Sequence, residues 1–239
     1  MAHTFSIIKT VTLPAPPEQV WHAVATREGQ RAWSPDPDAA EAPGMQVERE
    51  ENRRFAVRTP TEANGAFHAF EYLVQPQADG TSVLRFEHSG DLGEDWEAPY
   101  DYEAATSGGW DMYLHTLTQY LTYFAGRPAT LVHAQGPDVS SAPEAWPRLL
   151  AALGLSARPA VGTEVVLRPE GLDELRGVVD FEVPDDIDFL AVRTDLGLFR
   201  FHGMAIMGLP VAVGHYIYAD ADADALGAAW EAWLAGVYA

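Results

Sequence analysis

Apolar and polar positions alternate in part along residues 5–13, FSIIKTVTL, where β-branched side chains are frequent, and this pattern predicts an amphipathic strand. The strand stops at PAPP, and Pro17 stands where the first turn of a helix favours proline. The EQVWHAVAT that follows carries Val20, Trp21 and Val24 on its apolar side, and Gly29 is expected to end the helix. Trp33 opens a turn-rich stretch, WSPDPDAAEAPG. Three more strands are predicted at 45–59, 66–75 and 81–88. The turn-forming PTEANG and PQADG separate them, so they read as hairpin-connected and antiparallel. In the last of them Leu84, Phe86 and His88 share one face and Val83, Arg85 and Glu87 the other; the first set is expected to point inward.

The strongest helical signal covers residues 109–124, where Trp110, Leu114, Leu117, Leu121 and Phe124 form one apolar stripe and Gly126 supplies a stop. Tyr113, Tyr120 and Tyr123 flank it. Trp21, Leu121 and Phe124 are assigned to core.

The remaining residues repeat this order. A short strand at 130–134 precedes a helix in APEAWPRLLAALG, whose Pro143, Glu144 and Trp146 echo Pro17, Glu18 and Trp21. Strands are then predicted at 164–168, 178–183, 189–194, 198–204 and 211–218, with a closing helix at 224–237. ADADADAL before it suggests a metal run, but Asp222 or Asp224 fits better as a helix cap. The predicted class is α+β in two domains, 1–128 and 129–239, with the boundary between Gly126 and Val139 and the second domain a candidate degenerate copy of the first.

Composition narrows the function classes. Asp plus Glu number 35 against 15 Lys plus Arg, a formal net charge of −20, and Lys9 is the sole lysine. The one basic group, Arg49, Arg53, Arg54 and Arg58, is interleaved with Glu48, Glu50 and Glu51, so nucleic acid and anionic membranes are not expected partners. With no cysteine there is no disulfide, thiolate nucleophile or Cys-ligated metal. The first residues lack the pattern of a signal peptide and no run is long and apolar enough to span a bilayer; a cytoplasmic location is the expectation.

Taken in order, VWHAVAT, Trp33, LRFEHSG, Trp96 and GGWDMYLHTLTQYLTYFAGR resemble the heat-shock-chaperone ATPase activator homologue branch of the SRPBCC (START-like) superfamily, over about residues 5–128. The resemblance implies a helix-grip fold, in which a curved antiparallel sheet wraps a long C-terminal helix and leaves a concave pocket. Members of that superfamily use the pocket to bind lipids or cyclise polyketides, so fold alone does not fix chemistry. The second half matches no such motif.

The expected pocket wall is Trp33, Tyr72, Phe86, His88, Trp96, Tyr100, Trp110, Tyr113, Leu114 and Leu117. An aromatic stripe is, however, core material more often than a ligand site. His88 is the one candidate acid–base group, although Glu87, its neighbour on the strand, points to the opposite face and cannot orient it. The acidic loop with Asp91, Glu94, Asp95, Glu97, Asp101 and Glu103 lacks EF-hand order and reads as a solvated lid or entrance loop whose Trp96 and Tyr100 could fold back over the cavity. Histidine spacing gives no metal motif, and no serine-hydrolase, dinucleotide or P-loop signature occurs. The leading expectation is a non-enzymatic protein that encloses a small apolar or aromatic ligand without a cofactor, as monomer or homodimer. The alternatives are a cyclase-like or hydrolase-like enzyme using His88, and a protein-interaction or chaperone-regulating module whose mark would be an exposed apolar patch in residues 135–239.

Overall fold

The computed structural model describes residues 3–97, 100–181 and 187–239. The chain divides into two compact units, Met1–Arg127 and Pro128–Ala239.

In the first unit β1 (Thr4–Leu13) leads into α1 (Pro17–Ala25) and α2 (Arg27–Gln30), followed by β2 (Gln46–Glu50), β3 (Arg54–Arg58), β4 (Phe67–Pro76), β5 (Ser82–Asp91) and α3 (Tyr102–Tyr123). The strands form one antiparallel sheet in the order β1-β5-β4-β3-β2. Burial alternates without exception along β5, with Leu84, Phe86 and His88 on the buried face as the pattern predicts. The core joins that face to α1 and to the later turns of α3. Leu13, Val20, Val24, Trp33, Phe55, Leu84, Phe86, Leu114 and Leu117 are each at most 1% exposed. Each such side chain contributes roughly 1.5–3 kcal/mol of transfer free energy.

Four local expectations are corrected. The predicted strand at 45–59 is a hairpin, because Asn52 adopts a left-handed conformation (φ 58°) that its short polar side chain tolerates, turning β2 back on β3. The helix predicted from 109 begins at Tyr102, where the Asp101 carboxylate accepts from Ala104 N–H at 3.0 Å and carries the helix through Ser107, Gly108 and Gly109. Gly29 does not end α1. Thr26 leaves the helical conformation and its hydroxyl accepts from Gly29 N–H at 3.0 Å, starting α2. Glycine is required there because a Cβ would lie 2.1 Å from the His22 carbonyl oxygen. Trp21 is only half-buried, with Nε1 directed at the Arg54 carbonyl, and the buried side of α1 is Val20, Ala23 and Val24.

The second unit contains β6 (Thr130–Gln135), α4 (Ala145–Ala152), β7 (Glu164–Leu167), β8 (Leu175–Val179), β9 (Phe189–Arg193), β10 (Gly197–His202), β11 (Ala212–Ile217) and α5 (Ala223–Val237). Strand β8 starts before the predicted 178–183, whose last two residues lie outside the described ones. Asp222 caps α5 through Ala225 N–H at 3.0 Å. The sheet order is β6-β11-β10-β9-β8-β7. In both units the first strand pairs with the last strand of a meander, and the closing helix packs beside that first strand. The architecture is therefore α+β with two helix-grip halves in tandem, one of five strands and one of six.

Candidate functional site

Packing between helix and sheet in the first unit is graded along the length of both. On the inward side of β4, Val74 and Tyr72 are buried, whereas Phe70 and His68 retain solvent exposure. On α3, Leu121, Leu117 and Leu114 are buried, whereas Trp110, Ser107 and Thr106 are only half-buried. The cause is in the sequence: the stripe that is Leu and Phe in the later turns is Thr106 and Ser107 in the earlier ones, beside Gly109. A Cβ built on Gly109 would meet no atom within 4 Å. One half of the grip is solid, and the other, the more open half, is only partly buried.

This sorts the expected wall. Trp33, Phe86, Leu114 and Leu117 have at most 1% exposure and Tyr72 has 6%. A side chain bordering a void large enough for even one water keeps accessible surface, so Trp33, Phe86, Leu114 and Leu117 belong to the solid half, with Tyr72 packed beside them. The Trp33 indole N–H is satisfied by the Ala23 carbonyl at 2.9 Å, and the Tyr72 ring packs on Phe55 and Phe86 with centroids 5.8 and 4.9 Å away. Burial pushes the Tyr72 phenol well above its usual range. In the more open half Trp110 and Tyr113 are half-buried, as are His68 and Phe70, which the sequence reading passed over, and the buried His88 packs against Phe70 and Trp110. Trp96 packs edge-on against Tyr100 and Tyr102 at 6.4 and 5.5 Å, and Tyr102 reaches Phe5 at 4.9 Å, so the acidic loop sends an aromatic chain towards the histidines.

Phe70 and His88 are register partners on β4 and β5 and their rings stack at 4.3 Å. His68 lies opposite Gly90, where no side chain intervenes, and turns diagonally onto His88, Nδ1 to Nε2 at 3.0 Å. From the helix, Trp110 Nε1–H donates to His88 Nδ1 at 3.0 Å. An indole N–H can only donate, so His88 Nδ1 must be the acceptor and its proton sits on Nε2. That proton is donated to His68 Nδ1, which leaves His68 carrying its own on Nε2. The chain Trp110, His88, His68 thus has one polarity. Burial, and then the adjacent His68 ring, push His88 down to about 3. Burial lowers His68 as well, against a weaker opposing pull from Glu62. Burial pushes the Tyr113 phenol up to about 12, and its ring lies 6.2 Å from Trp110.

This geometry leaves the one lone pair of neutral His88 already engaged by Trp110, where a general base needs it free. Its orienting partners are an indole and a second imidazole, while Glu87 pairs with Arg85 at 2.8 Å on the opposite face. The loop acids have structural tasks: Asp91 accepts from His3 and Gly93 N–H groups, Asp95 from Asn64, Asp101 caps α3, and Glu103 accepts from Ser6 N–H. Among the described residues no group of three or more His, Asp or Glu side chains is placed to hold a metal ion, and no helix is long and apolar enough to cross a membrane. Members of the basic group are engaged as well: Arg54 with Glu71 at 2.7 Å and with Glu48, Arg53 with Glu50 at 3.5 Å, Arg49 over the Phe55 ring and Arg58 over Phe67.

No protein-family model matches the chain, and no curated protein does. Among solved structures, SRPBCC-like proteins are similar to it. The di-domain ARO/CYC BexL from the BE-7585A biosynthetic pathway is 14% identical, with 95% of this chain and 91% of that one covered and a TM-score of 0.42. DynU16, from the dynemicin biosynthetic locus, is 16% identical over 98% and 95%, with a TM-score of 0.39. The Aha1 dimer from Colwellia psychrerythraea is 16% identical over 49% of this chain and 96% of its own, with a TM-score of 0.36. At these identities and scores the likeness carries no argument about chemistry, and the fold rests on strand order and helix placement.

Proposed function

We propose that the first unit binds a small apolar or aromatic molecule between the inward side of β4 and the early turns of α3, without transforming it. The observation that carries this reading is the shared burial gradient: Phe70 and Trp110 lie on the inward stripes of their elements yet are only half-buried. A flat ligand would cover those faces, and removing apolar area from water favours binding by about 25 cal/mol per Å² before ordering costs. The ring contacts of Trp96 with Tyr100 and Tyr102 support a rim on the acidic-loop side of that space. The cyclase-like reading needs an acid–base group, and the tautomer imposed on His88 does not favour it.

The test uses 1-ethylnaphthalene and titration calorimetry. Thr106→Trp places a large ring in the open half; the expected outcome is at least a roughly tenfold loss of affinity (about 1.4 kcal/mol) with the melting temperature little changed. Leu117→Trp overpacks the solid half and is expected to cost about 1–3 kcal/mol of stability. Unaltered affinity in a folded Thr106→Trp protein would place the site elsewhere.

A further inference from the structure

We infer that His68 is the specificity-determining donor of this site and that the ligand carries a neutral hydrogen-bond acceptor, a carbonyl oxygen, beside its aromatic surface. The inference rests on the binding reading above and adds the polarity of what is bound. It starts from the one group in the chain whose role admits no alternative. Trp110 Nε1 donates to His88 Nδ1 at 3.0 Å, and His88 Nε2 and His68 Nδ1 are 3.0 Å apart, so each imidazole is fixed in turn as the Nε2–H tautomer. Within an imidazole the two nitrogens diverge, so His68 Nε2–H is aimed away from His88. His68 is also the half-exposed end of the chain, while His88 is buried. What His68 presents away from His88 is therefore a donor, its lone pair already engaged by His88.

Two features select a neutral acceptor over an anion. Protonating His68 would set a second N–H against His88 Nε2–H, so the ring is not held as a cation that could pair with a carboxylate. Glu62, a charged group that acts on His68, is itself negative, as is the chain as a whole with a formal charge of −20. A ligand whose polar group can only donate meets another donor and is rejected, because a desolvated donor without an acceptor is costly. An aromatic ketone satisfies both the rings and the N–H.

The experiment compares 1-acetonaphthalene with 1-ethylnaphthalene, nearly the same shape with and without the acceptor, by titration calorimetry on the full chain. The wild-type protein is expected to bind the ketone about tenfold more tightly. His68→Phe is expected to erase that preference, read as the ratio of the two affinities, and His68→Gln, which keeps an amide donor, to retain part of it. Two-bond ¹H–¹⁵N spectra of the unmodified protein should show both His68 and His88 protonated on Nε2, a readout independent of whether the variants fold. Equal binding of the two compounds, survival of the preference in His68→Phe, or an Nδ1–H tautomer at His68 would each overturn the inference while leaving the binding reading intact. Binding of neither compound by the wild-type protein would remove both.

Discussion

At the scale of single residues, the consequence of the imidazole chain is a pH dependence whose sign follows from geometry. His88 titrates at about 3 in the fold, against about 6.5 for an ordinary histidine in the unfolded chain. Between those values the unfolded state binds more protons, so stability is complete above about pH 6.5 and falls as the pH drops, by about 1.4 kcal/mol per pH unit for each such histidine. His215 acts in the same direction: burial, followed by the nearby His202, Arg200 and His133, holds it well below its usual range, and its Nδ1 accepts from the Arg200 backbone N–H at 3.1 Å. Trp110→Phe removes the donor that occupies His88 Nδ1. The expected result is a His88 titration moved upward from about 3, followed by histidine chemical shifts. The inward direction of His88 was legible in the alternation of one strand. The part played by His68 was not, because it depends on a register partner, Gly90, across a hairpin that no single-strand pattern specifies.

At the scale of elements, α3 changes along its length: a greasy later half is buried against the sheet, and an early half rich in small residues, though Tyr102 and Trp110 touch the sheet, is only partly buried. Apolar periodicity found the first and missed the second, since Ser107, Gly108 and Gly109 read as a breaker and only the Asp101 cap carries the helix through them. The same lack of contrast put Leu114 and Leu117 among pocket residues. Periodicity says which side of a helix turns inward, and is silent on whether the space it meets is filled. Because the position beside Gly109 is open, Gly109→Ala should stabilise the protein by about 0.5–1 kcal/mol in urea denaturation, the ordinary return for removing a helical glycine. The hairpin at Asn52 was hidden for a related reason: the flanking Glu and Arg residues alternate evenly enough to pass for one strand, and a single left-handed residue turns it.

Across the whole molecule, the order strand, helix, meander, closing helix was readable twice in the sequence, and each half forms its own sheet in the same sense. What the second half holds inside was not readable. Arg200 and Asp180 make a two-pronged ion pair at 2.8 and 3.0 Å with side chains only 2% and 3% exposed. Arg200→Met would take the two-pronged guanidinium away from the buried Asp180 carboxylate, and the expected cost is about 3–5 kcal/mol, detectable as lost hydrogen-exchange protection in β8 to β11. The pairing of β1 with β5, and of β6 with β11, has a temporal corollary. As the chain leaves the ribosome, the opening strand of each half has no neighbour until the final strand of that half emerges, so the sheet cannot be completed piecemeal. The N-terminal half can nevertheless close while its successor is still being translated, which limits the interval during which two similar sets of sticky strands could exchange partners.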